Sequence, residues 1–260
     1  MKHTLKITLI LVLLFITAQV IGLFIINKYI VKELPYGIEK PEYDEKTSFV
    51  PVTILIIIGT IIALFLIRLR ANLLWKLWFL FAITIALSIS FSVFMPQIIA
   101  LIASIILSVV RVFKPNVILH NFTELFIYGG IMSLFVPIFS IFSALILLIL
   151  ISLYDMYAVW KSKHMIKLAK YQTKMKIFAG LLIPYQKEKI AVLGGGDIAF
   201  PLLFAGAVLK TSGFFDAFLV IVYSAIALFL LFIYTKKGKF YPAMPFLTLG
   251  CIAGLLVGLI

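Results

Sequence analysis

Apolar runs of about 20 residues recur along the whole chain, separated by short loops rich in lysine and arginine. A run of that length crosses the hydrocarbon core of a bilayer as one helix, since roughly 30 Å is spanned at 1.5 Å per residue. With no water there to satisfy the backbone, a spanning segment must be a helix or part of a closed barrel. The runs are continuously apolar and do not alternate at period two, which excludes barrel strands. The composition agrees: 64% of residues are hydrophobic and mean hydropathy is +1.20, against about 45–50% apolar residues in soluble chains. The expected fold class is an all-α, multi-pass integral membrane protein.

Nine spans emerge. They cover roughly Leu5–Ile26, Val50–Ile67, Leu73–Phe94, Ile98–Val110, Val117–Phe135, Pro137–Trp160, Ile190–Leu209 and Phe214–Tyr234, with a last one following Pro245. The division near Val136-Pro137 is inferred from length, because the run from Pro115 to Trp160 is too long for one crossing and has no polar loop. The first run resembles a secretory leader, but it exceeds the usual apolar core of about 7–15 residues and no small-residue cleavage site follows, so a retained first helix is expected.

The net charge of +13 suggests nucleic acid only until its distribution is read. With the N-terminus and alternate loops placed on one side, 18 of the 23 Lys and Arg residues gather there. They include Arg68, Arg70, Lys76, Arg111, Lys114, eight lysines between Lys161 and Lys189, and Lys236, Lys237 and Lys239. That asymmetry puts the N-terminus in the cytoplasm and the C-terminus outside. It leaves lipid headgroups as the expected partner of the lysine loop, and no nucleic acid. Trp75 and Trp78 are expected as interfacial anchors. The single cysteine, Cys251, permits no internal disulfide.

Against this apolar background two carboxylates stand out, Asp155 in Tyr154-Asp155 and Asp197 in Gly194-Gly195-Gly196-Asp197. Burying a carboxylate at membrane depth costs about 2.5–3.5 kcal/mol on insertion scales, so it lines a wet cavity or meets a partner. Asp155 precedes Lys161 by six residues and Asp197 follows Lys189 by eight, about 9 and 12 Å from the same flank. At matched depth on successive helices the two can face each other and share one proton. Such a pair can hydrolyse a peptide, one member taking a proton from water while the other donates to the carbonyl oxygen. It can equally serve as a proton relay in a transporter, or as polar glue between helices. A third element, Pro242-Ala243-Met244-Pro245, begins three residues after Lys239. Its prolines lack amide donors and favour extended neighbours, which suits either a peptide-holding cavity or a proline-led helix start.

Taken in order, Tyr154-Asp155, Gly194-Gly195-Gly196-Asp197 and Pro242-Ala243-Met244-Pro245 resemble the YD, GxGD and PAL motifs of the presenilin and signal-peptide-peptidase family of intramembrane aspartyl proteases. The motif match covers residues 137–260, while the first five spans agree in number and character. Met244 stands where that family usually has leucine. The resemblance implies that Asp155 and Asp197 are the catalytic pair, that the substrate is a transmembrane segment unwound before cleavage, and that Pro242, Ala243, Met244 and Pro245 shape the site together with Tyr154 and the three glycines. It implies no cofactor and no metal. The cytoplasmic N-terminus fits the presenilin branch, and the short loop before Ile190 predicts no self-cleavage. A microbial, archaeal-type homologue in the cell membrane is expected, with no accessory subunits and a homo-oligomer left open.

The expected organisation is a five-helix scaffold over residues 1–136 and a catalytic half over 137–260, including the cytoplasmic loop 161–189. His120 and Glu124 lie one turn apart and read as a polar pair facing the bundle interior, or as groups tuning a water or substrate path. Two ligands do not make a metal site. Asn121-Phe122-Thr123 fits a glycosylation acceptor but lies within a span. Tyr157 and Trp160 are expected as interfacial aromatics, and Phe178–Pro184 as an apolar patch on the membrane or a gate over the acids.

Overall fold

The computed structural model describes residues 4–69, 71–162, 164–175, 177–185, 189–235 and 241–259. The elements run α1 (Leu5–Val31), α2 (Phe49–Arg68), α3 (Asn72–Phe91), α4 (Gln97–Phe113), α5 (Val117–Phe135), α6 (Ile141–Met156), α7 (His164–Lys174), β1 (Gly180–Tyr185), β2 (Lys189–Gly194), α8 (Gly195–Ser212), α9 (Phe214–Tyr234) and α10 (Met244–Gly258). Among the described residues six helices are long and apolar enough to cross a membrane, counting the turn after α5 and after α6 with them, and α4 and α10 are shorter apolar helices. This multi-pass architecture agrees with the apolar runs.

Local chemistry explains several boundaries. Asn116 caps α5 by accepting from the Ile118 amide, and Ser140 and Ser143 cap α6 reciprocally, relieving amides that a helix start leaves without partners. Between these helices Val136–Ile138 forms a single 3-10 turn around Pro137, where the sequence divides the long run. After α6 the chain widens into a π turn over Tyr157–Lys161.

Helix α8 is the axle of the bundle. It packs on α9, α1, α6, α5 and α10, and its residues from Pro201 to Leu209 are all buried. Pro201 removes the amide that would bond the Asp197 carbonyl one turn earlier. Beside that gap the buried Gln19 of α1 donates to the Ile198 carbonyl at 2.7 Å. The largest helix interface joins α9 and α10. There a Cβ on Gly250 would stand 2.8 Å from Ser224 Cα, and one on Gly254 would stand 2.6 Å from Val220 Cα. Two glycines four apart thus let the backbones meet. By contrast α2 buries little of its surface.

The structure corrects the sequence reading at four places. The chain is not all helix: residues 180–185 and 189–194 form an antiparallel hairpin, Gly180 opposite Gly194 and Tyr185 opposite Lys189. The helix of the seventh expected span, α8, therefore starts at Gly195 and not near Ile190. Ile190-Ala191-Val192-Leu193 is β-branched at alternate positions and buries Ala191 and Leu193 while exposing Ile190, a strand pattern. The lysine loop is only partly a loop, since it contains α7 and β1. Trp75 is buried at 6% exposure and packs edge-on against Trp78 and Tyr171, so only Trp78 is placed as an anchor. Arg111, counted among the flanking charges, is buried at 2% and ion-paired to Glu124. Arg70, Lys163, Lys176, Lys187, Glu188, Lys236, Lys237 and Lys239 lie outside the described residues.

Candidate functional site

One cavity of about 540 Å³ receives both singled-out acids. Asp155 and Tyr154 reach it from α6, Gly194 to Asp197 from the β2–α8 junction, and Ala243 and Met244 from the start of α10. Glu124 and Tyr128 of α5 line it as well. Most of the remaining wall is apolar, contributed in part by Ile56 of α2, Ile83 of α3 and Leu231 of α9. Ordinary ligand clefts are about 300–1,000 Å³, with few polar groups on apolar walls.

Each aspartate meets the N-terminal end of a helix, Asp197 its own and Asp155 that of α10. Asp197 lies in the first turn of α8, whose N-cap is Gly194. Asp155 lies in the last turn of α6, but its Oδ2 accepts from the Met244 amide at 3.1 Å, the first residue of α10. Free amides and the aligned peptide dipoles favour negative charge at both places. The proline motif explains why this contact is available. Ala243 is the N-cap of α10, and Pro245 adds no competing donor in the first turn. One turn deeper, Ser152 and Thr248 share a hydrogen bond of 2.8 Å, so α6 and α10 are pinned at two successive levels.

The glycines before Asp197 are not equivalent. A Cβ on Gly194 would stand 3.1 Å from Asp197 Oδ2. One on Gly195 would stand 3.0 Å from Tyr128 Oη and 3.3 Å from the Ala179 carbonyl. At Gly196 the nearest atom, on Phe200, is 3.4 Å away, an ordinary contact. The first two positions are tight against their surroundings, and the third is open.

Helix α5 contributes more than the sequence reading assigned. Glu124 does not chiefly pair with His120, which lies at 4.0 Å. It ion-pairs with Arg111 through one oxygen and accepts the Tyr128 hydroxyl through the other. His120 Nε2 instead bonds the Gly180 carbonyl at 2.7 Å. Asn121 brackets Leu182, donating to its carbonyl at 2.7 Å and accepting its amide at 2.9 Å. The interior-facing part of the expectation stands, and a hairpin anchor is added. Tyr128 was not singled out, although Glu124 and Tyr128 follow His120 at four-residue steps, a helical spacing visible in the sequence. Arg111 carried no such signal, because a cation at a helix end reads as a flank. The Gly250–Gly254 spacing was legible but passed over.

The remaining candidates divide. Tyr157 and Trp160 are more than half exposed. The patch Phe178–Pro184 does not lie free on a membrane; most of it is β1, with Phe178 and Leu181 buried. Pro242 is buried in the extended approach to α10. Among the described residues no three His, Cys, Asp or Glu side chains converge as a metal site would need.

Comparison with known proteins gives a consistent answer. The family model described as signal-peptide peptidase, presenilin aspartyl protease matches residues 12–260, well beyond the half that carries the motifs. Two solved structures of a presenilin family intramembrane aspartate protease are similar in fold. The one in space group C222 has a TM-score of 0.71 at 20% identity, covering 97% of this chain and 98% of that one. The one in space group P2 has a TM-score of 0.68 at 19% identity, covering 96% of each. No curated protein sequence matches.

Proposed function

The chain belongs to the signal-peptide peptidase, presenilin aspartyl protease family, and on that premise we propose that Asp155 and Asp197 are the catalytic dyad of this intramembrane aspartyl protease. The observation that carries the reading is the shared cavity: two carboxylates from separate helices enter one apolar cleft, each beside a helix N-terminus. A single carboxylate buried for packing would not need a second at the same depth. No feature of fold or family favours the transporter reading.

In the proposed reaction the dyad holds one proton. The ionised member takes a proton from water as the water oxygen bonds to the scissile carbonyl carbon, while the protonated member donates to the carbonyl oxygen. Collapse of the resulting diol passes the dyad's proton to the amide nitrogen while a diol hydroxyl gives its proton back to the dyad, and the C–N bond breaks to leave an amine and a carboxylic acid. The Met244 amide orients Asp155 for this work, and Gly194 leaves room for the Asp197 carboxylate. The apolar walls suit a transmembrane segment, which must unwind locally before an enclosed carbonyl can be reached. Tyr154, Gly195, Gly196, Pro242, Ala243 and Pro245 shape that space. Nine spans, a cytoplasmic N-terminus, an external C-terminus, the division at residue 136 and placement in the cell membrane complete the proposal. We propose action without accessory subunits.

The test is cleavage of a single-span reporter by the purified full chain in liposomes, wild type beside Asp155→Asn and Asp197→Asn. Each variant should lose about 10²–10⁴-fold or more in kcat while keeping the fold, because an amide can neither accept nor deliver the proton. Undiminished cleavage by either variant sinks the dyad. A shared proton also requires activity to fall on both sides of an optimum pH.

A further inference from the structure

Apart from Asp155, the buried charged side chains among the described residues form one cluster: Arg111, His120 and Glu124. The acid–base step makes no use of it. Resting on the reading of Asp197 as a catalytic acid, we propose that Tyr128 and Glu124 are positioning residues for Asp197, and that the polar face of α5 sets the first turn of α8 through two connections.

The first connection is direct. Both oxygens of Glu124 are engaged, one by Arg111 and one by the Tyr128 hydroxyl. Arg111 is itself fixed by Thr123, to which it donates at 2.7 Å. The single hydroxyl proton of Tyr128 is therefore spent on Glu124, and its ring is held in one orientation. That hydroxyl oxygen abuts Gly195, the first residue of α8, at the distance where a methyl group would already crowd it. Asp197 follows two residues later in the same first turn and lines the same cavity as Tyr128.

The second connection runs through the hairpin. The carbonyls of Phe178, Gly180 and Leu182 are taken by Arg111 at 3.3 Å, His120 at 2.7 Å and Asn121 at 2.7 Å. The carbonyl of Ala179, between the first two, instead accepts the Gly195 amide at 3.0 Å. The same face that holds Tyr128 thus clamps the stretch on which the start of α8 hangs. Both routes end at Gly195. The Asp155 arm is independent of them, because its contacts go to α10. Loss of the α5 cluster should displace one acid of the pair and leave the other in place.

The experiment compares wild type with Tyr128→Phe, Glu124→Gln, Glu124→Ala and the double variant Tyr128→Phe/Glu124→Gln, as full chains in liposomes. It measures kcat and KM on a single-span reporter, Tm, and binding of a peptide carrying a non-cleavable hydroxyl isostere of the scissile bond. Displacing an acid by a fraction of an ångström to an ångström costs rate more than ground-state binding, about ten- to a hundred-fold. Tyr128→Phe should therefore lower kcat by that factor with KM little changed, and weaken the isostere in parallel. Glu124→Gln, which keeps an acceptor for the hydroxyl, should retain more activity than Glu124→Ala. The double variant should be no slower than the worse single one, since the two residues act in one chain. Unchanged kcat in Tyr128→Phe overturns the proposal, as does a loss that merely tracks Tm and vanishes on cooling. If those variants behave as wild type while Asp155→Asn and Asp197→Asn are dead, the positioning role fails and the dyad stands. If the aspartate variants cleave normally, both readings fail.

Discussion

At residue scale, the three glycines before Asp197 allow a graded experiment, because a methyl group meets a different neighbour at each. Gly194→Ala sets a methyl against the Asp197 carboxylate, and Gly195→Ala sets one against Tyr128 and the Ala179 carbonyl. Contacts of 3.0–3.1 Å force a neighbour to move, and the neighbour at Gly194 is the acid itself. Both variants should fold and lose kcat, Gly194→Ala the more directly. Gly196→Ala has room and takes volume from the cavity, so its effect should appear in KM. Steady-state kinetics on one reporter separates the three, and equal losses in kcat at all positions would remove the distinction. The carboxylates were legible in the sequence because a charge in an apolar run has few explanations. The order of crowding among the glycines was not, since it depends on Tyr128, sixty-seven residues before Gly195.

At element scale, the periodic, uninterrupted apolar runs gave the helices, and span 8 coincides with α9 at Phe214–Tyr234. The failures cluster where two secondary-structure periods compete. A short apolar run such as Ile190–Leu193 serves equally as the first turn of a helix or as a strand, and pairing with β1 decides it. Likewise the proline motif offered two readings, a peptide-holding cavity and a proline-led helix start, and α10 takes the second, with its first amide meeting Asp155. That placement relies on α10 lying close to α9. Gly254→Leu would drive a side chain into Val220 and should cost about 1–3 kcal/mol of stability by overpacking. It should also depress cleavage beyond that cost, because tilting α10 withdraws the Met244 amide from Asp155. Ser152→Ala loosens α6 from α10 without steric strain and should give a smaller loss of the same kind. If Gly254→Leu lowers Tm with kcat intact at low temperature, α10 does not orient the acid.

At the scale of the whole molecule, charge is the sequence property from which orientation is expected, and the structure thins it by one residue. Arg111 leaves the tally of flanking charges because it serves the α5 cluster, yet a single loss leaves the large bias of basic residues between Lys161 and Lys189 intact. The fold itself cannot choose a side, since a bundle inverted in the bilayer buries the same surfaces. Chemistry provides the assay: Cys251 is the only cysteine and is fully buried, so introduced thiols report against a quiet background. Tyr43→Cys lies in the loop between α1 and α2, and Met165→Cys lies at the start of α7; both positions are exposed. With the N-terminus in the cytoplasm, a membrane-impermeant maleimide should label Tyr43→Cys in intact cells and reach Met165→Cys only after permeabilisation. The reverse order would turn the molecule over and put the cavity nearer the external face. The scissile bond would then be expected in the outer half of the substrate, so the same labelling decides from which leaflet cleavage products depart.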